Sequence, residues 1–163
     1  MVIDATIQLY ATKLCTTVLV MTESTGLEQM ICFELYAASR AMTSLYRPEL
    51  DTLGLTYPQF IALRVLQHRG PTTVRDLGRA LHLDSGTLSP LLKRLETQGH
   101  IRRERGTADE RTVWIHLTDQ GSALRDQVSD LPARVARAVD LDDTEWRQLH
   151  FLLSRVRDAA HPN

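Results

Sequence analysis

The sequence predicts a mainly α-helical fold with one small β-hairpin. Most of the 163 residues place apolar side chains every three or four positions, which is the period of a helix buried on one side. From His100 to Leu117 the period changes to two, which is typical of short strands. Threonine and aspartate stand just before the apolar runs, where their side chains cap helices. These observations predict the order helix, helix, helix, helix, hairpin, helix, helix.

The composition limits the classes of function. The net charge of −1 gives no overall basic signal, so binding to nucleic acid has to depend on a local surface. No apolar stretch approaches the ~20 residues of a membrane span, and the opening segment lacks the basic start of a signal peptide. The two cysteines are too few for a disulfide framework. We therefore expect a cytoplasmic protein with reduced thiols and no membrane partner.

The N-terminal part divides into an extension and a long helix. Residues 1–25 are predicted to be a loosely ordered extension, and Met21 and Met30 are alternative starts of the chain. Thr25 opens "TGLE", which is a capping box. The helix that follows is predicted to run to about Tyr46, because "RP" comes next and proline is a poor helix residue.

Three shorter helices follow, each with its own start signal. "TYPQ" predicts a second helix from Thr56 to about Gly70, because this capping box and its proline suit a first turn. Thr73 is the predicted cap of a third helix. Asp84 caps the fourth, "SGTLSPLLKRLETQ", which Gly99 ends. The fourth helix has leucines on one face and small, hydroxyl-bearing or basic residues on the other.

The remaining segments complete the hairpin and add long helices. "HIRRER" and "TVWIHL" are predicted strands joined by the polar loop "GTADER". Thr118 then starts a helix that Pro132 is expected to bend, and Asp142 with Glu145 caps the last helix. The helices at both ends of the chain carry more apolar surface than one small core needs. We therefore expect a two-fold homodimer.

Two short capped helices followed by a basic hairpin form the pattern of a winged helix-turn-helix, which reads double-stranded DNA. Small residues let a helix enter the major groove, hydroxyls bond to base edges or phosphates, and an arginine at a hairpin tip suits a narrow minor groove. An ion pair between Asp109 and Arg111 would hold that tip in shape. The alternative is a structural helix beside a solvated hairpin. The predicted DNA-binding residues are Ser85, Gly86, Thr87, Ser89, Lys93, Arg94, Arg102, Arg103, Arg105, Asp109 and Arg111.

The predicted organisation follows from this central unit. The fold class is mainly α with a small β-hairpin wing, a winged helix-turn-helix flanked by N- and C-terminal dimerisation helices. Residues 26–70 are assigned to dimerisation and sensing, residues 71–118 to DNA binding and residues 119–160 to the C-terminal dimerisation helices.

Two segments resemble a known family. "LDSGTLSPLLKRLETQGHIRRERGTADERTVWIHLTDQG" closely resembles the MarR family of dimeric winged-helix regulators. "CFELYAASRAMTSLYRPELDTLGLTYPQF" resembles its organic hydroperoxide resistance (OhrR) branch. The resemblance implies a transcriptional repressor that leaves a palindromic operator when a cysteine is oxidised by an organic hydroperoxide. It places Cys32 at the sensing position and Tyr46 and Tyr57 at the positions of the tyrosines that bond to it.

The chemistry of peroxide sensing adds a geometric condition. The reactive species is the thiolate, which phenol hydroxyls can stabilise by hydrogen bonding. Tyr36 lies one turn from Cys32 and is predicted to belong to the sensing site. Tyr46 lies about 21 Å along a straight helix at ~1.5 Å per residue. A contact with Tyr46 therefore has to come from a partner chain. If the helix begins near residue 26, its own N-terminus contributes little at Cys32, because the dipole effect fades within the first turn.

The oxidation product depends on the other thiols. No cysteine follows Cys32, so we expect a sulfenic acid and then a mixed disulfide with a small thiol. Cys15 is either incidental or carried to Cys32 by a flexible extension.

Other functions remain open at this stage. Cys32 is an inert core residue if the chain is a generic MarR-type repressor released by a small aromatic ligand. A thiol peroxidase would leave the DNA-reading pattern without a purpose, so we expect no enzyme. We expect no cofactor and no metal, because only Glu96 and His100 have a helical spacing of four and Gly99 ends the helix between them.

Overall fold

The computed structural model describes residues 26–27, 29–106, 109 and 111–160, with the backbone alone at residues 125, 126 and 160. The predicted extension with Cys15, the predicted cap Thr25 and its partner Glu28 therefore lie outside the described residues. None of the described helices is long and apolar enough to cross a membrane.

The described residues form seven helices and a three-stranded antiparallel sheet, which confirms the predicted mainly α fold class. The sheet order is β1-β3-β2, with Arg103 opposite Ile115. Strand β1 was not predicted, because a pair of threonines is too short to show an alternating pattern. In chain order the elements are α1 (Ile31–Thr52), α2 (Tyr57–Arg69), β1 (Thr72–Thr73), α3 (Val74–Leu81), α4 (Ser85–Thr97), β2 (Ile101–Arg105), β3 (Val113–Leu117), α5 (Asp119–Val128), α6 (Leu131–Val139) and α7 (Asp143–Ala160).

The predicted caps start five of these helices. The side chain of Thr56 accepts the backbone N–H of Gln59 in a complete capping box at the start of α2. The last cap is the carboxylate of Asp142, which accepts the backbone N–H of Glu145 at 2.9 Å. The other caps are Thr73 for α3, Asp84 for α4 and Thr118 for α5. The local start signals in the sequence were therefore sufficient to place these helices.

The first helix differs from its prediction at both ends. It begins at Ile31 and continues through Pro48 to Thr52, instead of running from residue 26 to Tyr46. Tyr46 and Leu50, on either side of the proline, are both buried. Burying two such side chains contributes ~1.5–3 kcal/mol each, which offsets the ~3 kcal/mol cost of an interior proline. The following turn needs Gly54, whose φ of 64° lies in the left-handed region.

The predicted bend at Pro132 is instead a break between two helices. Helix α5 ends at Val128 and α6 begins at Leu131, which places Pro132 in the first turn of α6. Proline suits that position because the first N–H groups of a helix have no intrahelical partner.

The chain divides into two compact units, one ending at Ser44 and one beginning at Leu45. The core of the second unit is mainly aliphatic, and it buries the four leucines of α4 as predicted. Its side chains that are almost fully buried are Leu50, Leu66, Leu77, Leu88, Leu92, Leu95 and Ile115.

The turn between α4 and β2 packs tightly against the start of α5. The hydroxyl of Thr118 donates to the Gly99 carbonyl at 2.6 Å, and its backbone N–H donates to the His100 carbonyl at 3.1 Å. A Cβ at Gly121 would stand 2.0 Å from the same His100 oxygen, so only glycine allows this approach. The side chain of His100 is buried at this junction.

We expect His100 to make the folded protein less stable as the pH falls. Burial lowers the pKa of its imidazole below the usual value, so the unfolded chain takes up a proton at a higher pH than the folded chain does. Its contribution to the free energy of unfolding is therefore complete above about pH 6.5 and is lost as the pH falls below that value. Urea unfolding at pH 7.5 and 5.5 should show a smaller pH dependence for His100→Asn than for the wild type. The exposed His68→Asn variant is the control, and equal slopes for all three proteins would contradict the assignment.

Candidate functional sites

The exposed face of α4 is organised by its cap. The Asp84 carboxylate accepts the backbone N–H of Thr87 at 2.8 Å and its hydroxyl at 3.2 Å. These hydrogen bonds hold the pKa of Asp84 below its usual value, so the cap stays negatively charged. With the leucines buried, six of the predicted DNA-binding residues are exposed together on this helix: Ser85, Gly86, Thr87, Ser89, Lys93 and Arg94.

Gly86 and Pro90 shape the first turns of this face. Both residues are exposed, and a side chain at Gly86 would bring its Cβ within 3.2 Å of the Asp84 carboxylate. Proline has no N–H, so Pro90 cannot donate to the Gly86 carbonyl four residues earlier. The N-terminal half of the helix therefore presents to solvent small side chains and the carbonyl oxygen of Gly86, which is a hydrogen-bond acceptor.

The hairpin of β2 and β3, called the wing here, carries Arg102, Arg103 and Arg105 on exposed positions. Arg102 donates to Glu104 at 2.6 Å, and this contact lowers the pKa of that carboxyl. Arg103 Nε lies 3.1 Å from Glu96 Oε2, which joins the wing to α4. Two of the wing arginines therefore have carboxylate partners, which the sequence did not predict.

The wing tip is held by Asp109, but not through the predicted ion pair. Its carboxylate accepts the backbone N–H of Arg111 at 3.0 Å and the hydroxyl of Thr112 at 3.2 Å. Gly106 is required beside it, since a Cβ there would stand 2.8 Å from the Asp109 carbonyl. Within the described residues the guanidinium of Arg111 has no ion-pair partner. The tip is therefore shaped by hydrogen bonds of the Asp109 carboxylate and not by an ion pair between Asp109 and Arg111.

Tyr46 and Tyr57 form an aromatic cluster with Phe60. The ring centroids lie 5.0 Å apart for the two tyrosines, and 5.7 Å and 6.3 Å from Phe60 to Tyr46 and Tyr57. Burial raises the pKa of both phenols, and for Tyr46 the neighbouring Tyr57 adds to the rise while Arg64 opposes it. Both hydroxyls are thus neutral hydrogen-bond donors at neutral pH. Phe60 was not predicted as a site residue, although its spacing of three from Tyr57 places both on one side of α2.

Cys32 belongs to the other unit and is exposed. It is the second residue of α1 instead of about the seventh, because α1 begins five residues later than expected, so the position assumed for Cys32 in its helix was wrong. Backbone N–H groups in a first turn favour a nearby negative charge. Ile31 and Phe33 beside it are also exposed. The hydroxyl of Tyr36 accepts from Arg40 at 2.9 Å, and no described contact joins it to the thiol.

The four predicted sensing residues therefore fall into two groups. The structure brings Tyr46 and Tyr57 together in the second unit, whereas Cys32 and Tyr36 lie in the first. Among the described residues, no group of three or more potential ligands could hold a metal ion.

A separate open cavity of about 1040 Å³ lies between α3, the start of α4 and the end of α7. Arg75, Arg79 and Arg157 contribute cations to its lining, and Val74 and Leu88 contribute apolar surface. The lining also contains the carboxylates of Asp84 and Asp158. Arg157 is paired with Asp158 at 3.1 Å and Arg79 with Asp76 at 3.3 Å, so among the described residues Arg75 is the lining arginine without an ion pair.

Known proteins are similar to this chain in both sequence and fold. A family model described as transcriptional regulator SarA/Rot matches residues 44–128. The organic hydroperoxide resistance transcriptional regulator of Bacillus subtilis is 43% identical over 135 residues, which cover 83% of this chain and 92% of that protein. The HTH-type transcriptional regulator TtmR of Methylorubrum extorquens is 44% identical over 136 residues, covering 83% of this chain and 70% of the relative. The solved structure of reduced AbfR bound to DNA has a TM-score of 0.70 and 32% identity, and the match covers 83% of this chain and 95% of that one.

Proposed function

Because the chain belongs to the MarR-type winged-helix transcriptional regulators, in their organic hydroperoxide resistance branch, we propose that it is a repressor that oxidation of Cys32 releases from its operator. DNA-binding regulation is the activity of this family, and the redox step is the proposal. The observation that carries it is an exposed thiol in a helical first turn, in a chain 43% identical to a hydroperoxide resistance regulator.

The exposed face of α4 supports the DNA-binding part of the proposal. Its N-terminal half has only small or hydroxyl-bearing side chains, so the helix can lie deep in a major groove. Lys93 and Arg94 follow one turn later, within reach of phosphates. Arg111 stands at the wing tip, where a narrow minor groove favours an arginine. Asp109 would then act indirectly, by setting the backbone that carries Arg111.

A second copy of the chain is part of the proposal. Helix α7 leaves Phe151, Leu152, Leu153 and Val156 between 42% and 58% exposed, which is costly for an isolated chain in water. A two-fold dimer would bury this face and present two copies of α4 to a palindromic operator.

The redox step balances with an organic hydroperoxide as the oxidant. The Cys32 thiolate attacks the outer peroxide oxygen, the O–O bond breaks, and the departing alkoxide takes up a proton to become an alcohol. The sulfur is thereby oxidised to a sulfenic acid. A small thiol can then attack this sulfur, form a mixed disulfide and release water.

Neutral phenols from the partner subunit would complete the sensing site. Cys32 and Tyr46 lie fourteen residues apart on one helix, so a bond between Tyr46 and the thiolate would come from the other chain of the dimer. Burial keeps both phenols protonated, which is the form that can donate to a thiolate. A sulfenic acid or mixed disulfide is larger and no longer a compact anion, so it would displace these rings.

The cavity beside α4 supports a second candidate function. A small aromatic acid bound in this cavity beside Arg75 would touch the start of α4 directly, with Cys32 silent. Release of the operator by such an acid, unaffected by loss of the thiol, would favour this alternative.

Arg111→Ala should weaken binding to DNA by a similar factor for duplexes of different base sequence. It removes a cationic contact with the minor groove, so the affinity should also depend less steeply on salt. Fluorescence anisotropy with a palindromic duplex at 50 to 200 mM salt measures both effects.

Thr87→Ala serves as the comparison at the helix. Its backbone N–H still bonds to Asp84, so the cap survives and the effect should be on base preference, by ~1–3 kcal/mol at one base pair. Equal and sequence-independent losses from Thr87→Ala and Arg111→Ala would show that α4 does not read bases.

The dimer should be visible in solution at micromolar concentration. Light scattering should give twice the 18.5 kDa mass of the chain. Leu153→Glu should shift the protein towards monomer, because it places a charge on the exposed apolar face of α7. A monomeric wild type would contradict this part of the proposal.

Cys32→Ser should bind the operator like the wild type and ignore organic hydroperoxide. The measurement is release of a labelled operator after one equivalent of cumene hydroperoxide, with sulfenic acid trapping on the same samples. Tyr57→Phe keeps the ring but removes the donor, so it should slow oxidation without weakening binding of the reduced protein. Release of Cys32→Ser at the wild-type rate would remove Cys32 from the mechanism, and steady peroxide turnover would instead indicate a thiol peroxidase.

A further inference from the structure

One exposed side chain is hydrogen bonded to both ends of the segment that carries Tyr57. Gln98 follows the last residue of α4 and is its C-cap. Its Nε2 donates to the Gly54 carbonyl at 2.9 Å, and its Oε1 accepts from Gln59 Nε2 at 3.2 Å. Residues 54–59, with Tyr57 between the two contacts, are therefore clamped to the C-terminal end of α4.

Gln59 connects this clamp to the start of α2. It is polar but only 4% exposed, and its Oε1 accepts the backbone N–H of Thr56 at 2.8 Å. Gln59 thus fixes the helix start directly before Tyr57, and its Nε2 donates one hydrogen bond to Gln98. Burying a glutamine is costly unless its amide is bonded on both sides, as it is here.

The turn itself suits this contact. The peptide at Gly54 is fixed by its left-handed φ and by a hydrogen bond from its N–H to the Asp51 carbonyl at 3.1 Å. A Cβ at Gly54 would stand 3.7 Å from Gln98 Nε2, so the glutamine lies directly against the turn.

We propose that Gln98 is a positioning residue that couples the tyrosine cluster to the DNA-reading helix. When Tyr57 is displaced, the segment 54–59 moves and Gln98 draws the C-terminal end of α4 with it. Helix α4 is ~20 Å long at ~1.5 Å per residue, so a tilt of about 10° at one end moves the other end by about 3 Å. That displacement is enough to break the match between two helices and two major grooves. The coupling rests on the proposed redox function, since oxidation is what displaces Tyr57.

Substitutions of the two glutamines differ in what they test, because loss of Gln59 would also lower the stability of α2 whereas loss of Gln98 would remove only the coupling contact. Gln59 also forms the capping box, so its loss would weaken α2 whether or not it transmits anything. Gln98 is exposed, and its side chain has no described hydrogen bond other than the two to Gly54 and Gln59. Gln98→Ala therefore removes the link and leaves the caps in place. Gln127→Ala, an exposed glutamine on α5, is the matched control.

The first test uses the reduced dimer and does not depend on oxidation. Operator binding should slow hydrogen exchange of the Gly54 and Leu55 amides by about fivefold in the wild type and in Gln127→Ala, because linkage acts in both directions. Gln98→Ala should bind the operator within about threefold of the wild type and lose this protection. No protection in the wild type, equal protection in Gln98→Ala, or collapse of its operator binding would each overturn the proposal.

The second test adds one equivalent of cumene hydroperoxide. Cys32 should be oxidised at the same rate in Gln98→Ala and in the wild type, but the loss of operator affinity should be at least about fivefold smaller in the variant. An equal loss of affinity in both proteins would overturn the coupling. A wild type that keeps its operator after oxidation would overturn the redox function instead, and the exchange experiment would still decide whether Gln98 links the turn to the DNA surface.

Discussion

Burial of the leucine face of α4 is the constraint on which the rest of the second unit depends. Leu88, Leu92 and Leu95 are almost fully buried and Leu91 is nearly so, and each contributes ~1.5–3 kcal/mol. The ion pair of Arg103 with Glu96 is partly exposed, and such pairs contribute ~0–1 kcal/mol. Apolar burial therefore decides which face of α4 points outward, and the polar contacts adjust the parts attached to it.

Those polar contacts are concentrated at the two ends of α4. Asp84 defines the start of the helix that would enter DNA, and Gln98 ties its end to the turn before α2. Immediately after it, the His100 carbonyl meets Gly121 at a distance that admits no side chain. Contacts at both ends favour movement of the helix as one rigid piece, which is the behaviour that a readout based on the spacing of two helices requires.

The parts of the fold that the sequence predicted are those with local causes. Caps such as Thr56 and Asp142 act within three residues, and the strands show their alternation directly. The ends of α1 and the short strand β1 depend on packing between distant segments, so local sequence patterns could not predict them. The same limit applies to the sites. The exposed face of α4 followed from helical spacing, whereas Glu96 with Arg103 and Gln59 with Gln98 are contacts between separate elements.

Helix α1 contributes to both units, and this division fits the two demands on a redox regulator. A sensing thiol has to be exposed to meet its oxidant, as Cys32 is at the start of α1. A DNA-binding unit has to be rigid. Tyr46 and Leu50, near the end of the same helix, are buried in the core that holds α4. In the proposed function, oxidation and DNA binding would therefore take place in different environments. In the proposed coupling the signal would pass from the half-buried phenol of Tyr57 to the buried amide of Gln59, which is bonded to Gln98 at the end of α4.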